Sequence, residues 1–215
     1  MSGRPVVVLV GLPGAGKTTI GRKLARRLGL DFHDTDQLVE ERAGRGIPEI
    51  FATEGEAGFR ALEEDVVGRA LEEAGGVLSL GGGSVLSERT RRRLRDHLVV
   101  HLTIGVVEGV RRSQGGRRPL LDVDDPVARY QRLHTDRSPL YREVATESVT
   151  TERRSSGKVV SELVDLLTTR MPHLRVAAEP DPTESEAPDA DPAHANPAEA
   201  NPADVHPAAA PRDPR

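Results

Sequence analysis

A chain of 215 residues with 36% hydrophobic and 30% charged side chains and a net charge of −4 is long enough for one full core plus an appendage. The absence of cysteine excludes disulfides and thiolate chemistry, and a near-neutral balance is not the footprint of a nucleic-acid binder. No apolar run reaches membrane-spanning length and Met1–Arg4 has no signal-peptide pattern, so a cytoplasmic protein without nucleic-acid or membrane partners is expected.

Val6–Val10 is an unbroken, mostly β-branched apolar run, the mark of a strand buried on both faces of a parallel sheet. Gly11–Thr18 follows, and then Ile20, Leu24 and Leu28 recur at helical spacing up to Gly29. Leu30–His33 reads as a second strand, ending at Asp34-Thr35-Asp36. Helical stretches are predicted over 37–43, 48–52 and 55–74, and a third strand over 77–80 runs into Gly81-Gly82-Gly83. Helix 87–95, strand 98–104 and helix 106–112 come next, then a mobile loop over 113–125. Helix 126–142, strand 147–151 and helix 156–170 complete the pattern. Strands alternating with helices of this length predict a parallel α/β sandwich. Ligands of such sheets bind at the carboxyl ends of the strands, so 11–18, 34–36 and 81–83 should meet at one edge.

Ten of the sixteen prolines lie after Arg170, and from residue 172 onward nine acidic and three basic side chains leave a net of −6. So few large apolar groups cannot offset the entropy of ordering. Residues 1–171 are therefore expected to form the domain and 172–215 a disordered Pro/Ala/acidic tail.

The motif G-x-x-x-x-G-K-[ST] is met by Gly11, Gly16, Lys17 and Thr18, between a buried strand and an amphipathic helix. Its backbone N–H groups, from Gly14, Ala15 and Gly16 through Thr19, suit phosphate oxygens. In this motif Lys17 reaches the β- and γ-phosphates of ATP and the Thr18 hydroxyl ligates Mg²⁺. The only asparagines are Asn196 and Asn201, which leaves no guanine-reading N-K-x-D. The strand at 77–80 ends in glycines rather than in the aspartate that a motor or transporter ATPase needs. A small-molecule kinase fits what remains.

Asp36 stands where a carboxylate can accept the proton of an attacking alcohol, and Asp34 lies two residues away on the same face. The alternative is that one of them caps the following helix. Arg60 and Glu63 are one helical turn apart, a spacing that also occurs in surface ion pairs. Gly81–Gly83 can admit a ligand oxygen to the backbone or form a plain turn.

Gly11–Thr18, Asp34-Thr35-Asp36, Phe59-Arg60-x-x-Glu63, Gly81-Gly82-Gly83, Arg118-Pro119-Leu120-Leu121 and Arg137-x-Pro139-Leu140-Tyr141 resemble, in order and approximate spacing, the motifs of shikimate kinase over about residues 5–170. The resemblance implies an α/β, three-layer αβα sandwich with a five-stranded parallel sheet, the P-loop NTPase fold in its nucleoside-monophosphate-kinase-like form, with a mobile lid. It implies phosphoryl transfer from ATP to the 3-hydroxyl of shikimate by a monomer. Asp36 would bind substrate hydroxyls and act as base, and Asp34 would hold Mg²⁺ through water. Arg60 and Arg137 would clamp the substrate carboxylate, with Glu63 orienting Arg60 and Gly81, Gly82 and Gly83 approaching the substrate. Arg118, with Arg117 as its neighbour, would be the lid arginine that joins Lys17 in catalysis. Arg112 and Arg154 would lie near the adenine, although Ser156 stands where the family often has proline.

Overall fold

The computed structural model describes residues 3–113 and 125–177. Five strands, β1 (Pro5–Val10), β2 (Phe32–Asp34), β3 (Gly76–Ser79), β4 (Val99–Thr103) and β5 (Glu147–Thr150), form one sheet in the order β2-β3-β1-β4-β5. Every pairing is parallel. The central position of β1 explains its unbroken apolar run: Val7, Val8 and Leu9 are fully buried and Val10 nearly so. The expected parallel α/β sandwich is the observed architecture.

Helices flank the sheet. α1 (Lys17–Leu28) packs on α7 (Ser156–Arg170), while α4 (Glu88–Leu94) packs on both α3 (Ile47–Glu73) and α6 (Pro126–Val144). α2 (Thr35–Ala43) lies along α3, and α5 (Val106–Ser113) along α6. Leu24, Leu71, Leu78, Leu102 and Leu163 sit fully enclosed between these layers. A smaller cluster of Val39, Ile50, Phe59 and Val66 joins α2 to α3.

Most element ends shift by one or two residues from the sequence reading, and two of the differences have a local physical cause. The helix expected from 37 begins at Thr35, because the Asp34 carboxylate accepts the Asp36 N–H at 3.1 Å and caps it. The separate helices expected over 48–52 and 55–74 form one span, broken only at Gly55 (φ 70°, ψ −175°), a conformation that glycine adopts without Cβ strain. Past the boundary expected at 171, Met171 and Leu174 still pack on the core and the Ala177 N–H donates to the Arg27 carbonyl at 2.8 Å. Most of the expected tail, from residue 178, lies outside the described residues, as do residues 114–124 of the expected loop.

On β4, His101 is 6% exposed and stacks on Tyr141 of α6, ring centroids 4.9 Å apart. Burial first, then the charges of Arg142, His134 and Lys17, hold its pKa down at about 4. The unfolded ring titrates near 6.5, so between these values the unfolded chain binds the proton and the folded one does not. Stability contributed by the neutral ring is thus complete above pH 6.5 and is lost as pH falls toward 4. Over that window wild type should lose on the order of 2–3 kcal/mol more than His101→Phe, which keeps the stacked ring. Urea unfolding at several pH values checks this, and equal losses in the two proteins would contradict it.

Candidate functional site

The loop after β1 and the N-terminal turn of α1 divide two cavities at the carboxyl edge of the sheet. The first, of about 270 Å³, is lined by Pro13, Lys17, Thr18, Asp34, Asp36, Arg60, Glu63, Gly82, Gly83 and Arg137, with Phe51 and Phe59 on an apolar side. The second, of about 370 Å³, is lined by Gly14, Gly16, Lys17, Thr18, Thr19, Arg112, Thr151, Arg154 and Ser156. Lys17 and Thr18 belong to both. The three segments expected to converge do so, because β1, β3 and β2 are adjacent and parallel and their carboxyl ends point the same way.

At the junction, the Lys17 ammonium donates to the carbonyls of Gly11 at 2.9 Å and Leu12 at 3.3 Å. The Thr18 hydroxyl donates to Asp34 Oδ2 at 2.8 Å. Since Oδ1 of the same carboxylate caps α2, capping and a place in the site are both true of Asp34. Ala15 is fully buried and its N–H closes a turn on the Leu12 carbonyl at 3.1 Å.

In the first cavity the two arginines lie along one glycine run. Arg60 of α3 donates to Glu63 Oε2 at 2.6 Å, sits 5.1 Å from the Phe59 ring centroid and covers Gly83 so closely that a Cβ there would collide with the guanidinium. Glu63 is 4% exposed and its Oε1 accepts from the Ser84 hydroxyl at 2.8 Å, so this is a buried link between α3 and the loop after β3. The alternative of a solvated surface pair does not describe it. Arg137 of α6 is 6% exposed and donates to the Gly82 carbonyl at 2.8 Å. The Tyr141 hydroxyl donates to the same oxygen at 2.6 Å. Burial lowers the Arg137 pKa and the Arg60 charge adds to this, while Tyr141 and Glu63 oppose it; burial raises the Tyr141 pKa. A guanidinium remains protonated under such perturbation, so both arginines present positive charge to the cavity. Gly81 does not line it, but its Cα touches the Asp36 carboxylate: a Cβ there would overlap Asp36 Oδ1 and come within 2.9 Å of Glu63 Oε1.

In the second cavity Arg112 donates to Glu108 at 2.8 Å and to the Thr151 carbonyl at 3.1 Å. Arg154 pairs with Glu162 at 2.5 Å and donates to the Thr150 carbonyl at 3.2 Å. Lys23 donates to the Ser156 hydroxyl at 2.9 Å. Arg117 and Arg118 lie outside the described residues. Sequence reasoning missed Ser84, which directly follows the glycine run, and Tyr130, whose hydroxyl donates to the Pro13 carbonyl at 2.8 Å. Tyr141 stood within a noticed motif but without a role.

A family profile described as shikimate kinase matches residues 13–168. The chain is 54% identical over 161 residues to a shikimate kinase of Rhodococcus jostii, covering 74% of this chain and 96% of that one. It is 53% identical over 164 residues to a shikimate kinase of Mycobacterium tuberculosis, covering 76% and 93%. Among solved structures, a shikimate kinase from Acinetobacter baumannii in complex with shikimate aligns with a TM-score of 0.73 at 36% identity, covering 78% of this chain and 94% of that one. One from Bacteroides thetaiotaomicron aligns with a TM-score of 0.68 at 29% identity, covering 76% and 98%.

The buried Glu63 link is open to a direct stability test. Glu63→Gln removes the charge while keeping the shape, and should lower the free energy of unfolding by about 1–3 kcal/mol. Glu56→Gln, at the exposed 3.4 Å contact with Arg60, should cost less than about 0.5 kcal/mol. Denaturant titration of the two variants checks the contrast.

Proposed function

The chain belongs to the shikimate kinase family, and from that premise we propose that the two cavities are the acceptor and donor halves of one phosphotransfer centre. The protein is an ATP-dependent kinase that transfers the γ-phosphoryl group of ATP to the 3-hydroxyl of shikimate, giving 3-phosphoshikimate and ADP in the route to chorismate and the aromatic amino acids. The observation that carries this reading is the meeting of Asp36, Arg60 and Arg137 in a cavity that shares Lys17 and Thr18 with the phosphate loop.

The roles follow from chemistry. Arg60 and Arg137, side by side on Gly83 and Gly82, suit the two oxygens of one planar carboxylate. That anchors the acceptor at one end and leaves its hydroxyls toward Asp36. The acceptor oxygen forms the new bond to the γ-phosphorus as the bond to the leaving ADP oxygen breaks, and Asp36 takes the hydroxyl proton. Lys17, held at the junction, offers positive charge to the transferring group. Arg118 is proposed, on the family resemblance, to add charge there, and Arg112 and Arg154 to border the nucleotide base.

Thr18, which lines both cavities, and Asp34, which lines the acceptor cavity, bring a hydroxyl and a carboxylate oxygen to within 2.8 Å of each other. This hard-oxygen pair suits Mg²⁺, which takes one or two protein oxygens and completes its shell with phosphate and water. When bound there, the ion would neutralise charge on the β- and γ-phosphates. The chain is further proposed to act as a monomer in the cytoplasm.

Turnover should be seen with shikimate and not with gluconate or nucleoside monophosphates in a substrate-panel assay, and no phosphorylation of shikimate would sink the proposal. In that assay Asp36→Asn should lower kcat by at least about 10²-fold while ATP affinity holds; retained turnover would remove Asp36 as the base. The kinase domain is proposed to end near residue 178, after the contacts of Met171, Leu174 and Ala177. A chain ending at Ala178 should keep the kcat and both KM values of the full chain, and a shift in any of them would assign the remainder a part in turnover.

A further inference from the structure

Leu12-Pro13-Gly14-Ala15 is a hydrogen-bonded turn, closed by Ala15 N–H to the Leu12 carbonyl at 3.1 Å. Proline at its second position and Gly14 at φ 79° make it type II. Types I and II differ by a flip of the central peptide, here the one joining Pro13 to Gly14. Glycine is permissive in both states, so Gly14 does not itself decide which way that peptide faces. Tyr130 does. Its ring is fully buried, and its hydroxyl donates to the Pro13 carbonyl at 2.8 Å. The ring lies so close to Gly109 of α5 that a Cβ there would overlap the phenol oxygen. Across the turn, the Gly14 Cα is walled in: a Cβ would come within 2.8 Å of both the Gly109 carbonyl and the Ser113 hydroxyl.

The peptide is trans and planar, so its N–H points opposite to its carbonyl. With the Pro13 carbonyl drawn toward Tyr130, the Gly14 N–H faces away from Tyr130, and Gly14 lines the donor cavity. We propose that Tyr130 is a positioning residue for nucleotide binding: by holding the Pro13 carbonyl it locks the turn as type II and keeps the Gly14 N–H directed at a phosphate oxygen. Flipped to type I, the same turn would present a carbonyl oxygen there and repel the anion. This rests on the kinase reading for the identity of the nucleotide, and on nothing about the acceptor.

The test is calorimetric binding of Mg·ADP, and separately of shikimate, to the full chain. Tyr130→Phe keeps the ring against Gly109 and removes only the hydroxyl. It should weaken ADP by at least about 3-fold, with a matching rise in KM for ATP, and leave shikimate affinity unchanged. Tyr141→Phe removes an equally buried hydroxyl from the Gly82 carbonyl and should show the opposite pattern, which separates positioning from a general loss of stability. If Tyr130→Phe does not fold, Gly109→Ala, which displaces the same hydroxyl, is judged by the same criterion. ADP weakened by less than about 3-fold, or ADP and shikimate weakened alike, overturns the proposal. If wild type binds ADP in this Tyr130-dependent way yet does not phosphorylate shikimate, the acceptor assignment fails and this inference stands.

Discussion

A buried guanidinium must be satisfied, and the requirement at Arg137 organises the first of the two cavities. A cation with 6% of its surface exposed costs several kcal/mol unless hydrogen bonds and opposite charge replace water. The Gly82 carbonyl supplies one bond, and the nearby carboxylate of Glu63 supplies favourable charge. Tyr141 takes up the same carbonyl, which has only two lone pairs, so the loop after β3 is fastened to α6 at a single oxygen. With Gly82 fastened, Gly83 is placed under Arg60 and Gly81 against Asp36. Three successive residues thus meet three charged side chains from three different elements; at Gly81 and Gly83 a Cβ would collide with the charged group, whereas at Gly82 it would meet the Pro13 ring.

Glu63 ties this arrangement together. Its two oxygens are divided between Arg60 and Ser84, so α3 and the loop after β3 share one carboxylate. Arg60 has its fork partly occupied and its plane set before any ligand arrives, and a preset donor loses less freedom on binding. Two cations held near each other repel, which burial makes worse. That repulsion is relieved when an anion lies between them, so the pair favours a carboxylate over a neutral ligand.

The sequence made legible much of what is encoded within one element, although the start of α2 and the continuity of α3 escaped it. The apolar run at Val6–Val10 marked a strand buried on both faces, Gly11–Thr18 marked a phosphate loop, and Arg60 and Glu63 stood one helical turn apart. It did not make legible the contacts that strand order creates. Tyr130 and Pro13 are 117 positions apart, and Tyr141 and Gly82 are 59 apart. Both bonds exist only because β4 and β5 lie beyond β1 and bring α6 back across the loops. No periodicity carries that information. The double use of Asp34 was hidden for a related reason. Spacing raised capping and ligation as alternatives, whereas a carboxylate has two oxygens and serves α2 with one and Thr18 with the other.

The two cavities share Lys17 and Thr18, and their partition is the turn at Pro13–Gly14, with Pro13 facing one and Gly14 the other. Among the described residues, one peptide unit of this turn therefore stands between the two cavities, and its place is set by the strand that it follows. Phosphoryl transfer asks little covalent chemistry of a protein and a great deal of alignment. A partition of fixed thickness meets that need only if its central peptide keeps one face to each side. The elements that hold it, Tyr130 from α6 and Gly109 and Ser113 from α5, contribute no charge to either cavity. Alignment and charge are thus assigned to different residues here. Lys17, Arg60 and Arg137 carry the charge, and an uncharged phenol, 117 positions further along the chain from Pro13, governs the direction of the backbone between them.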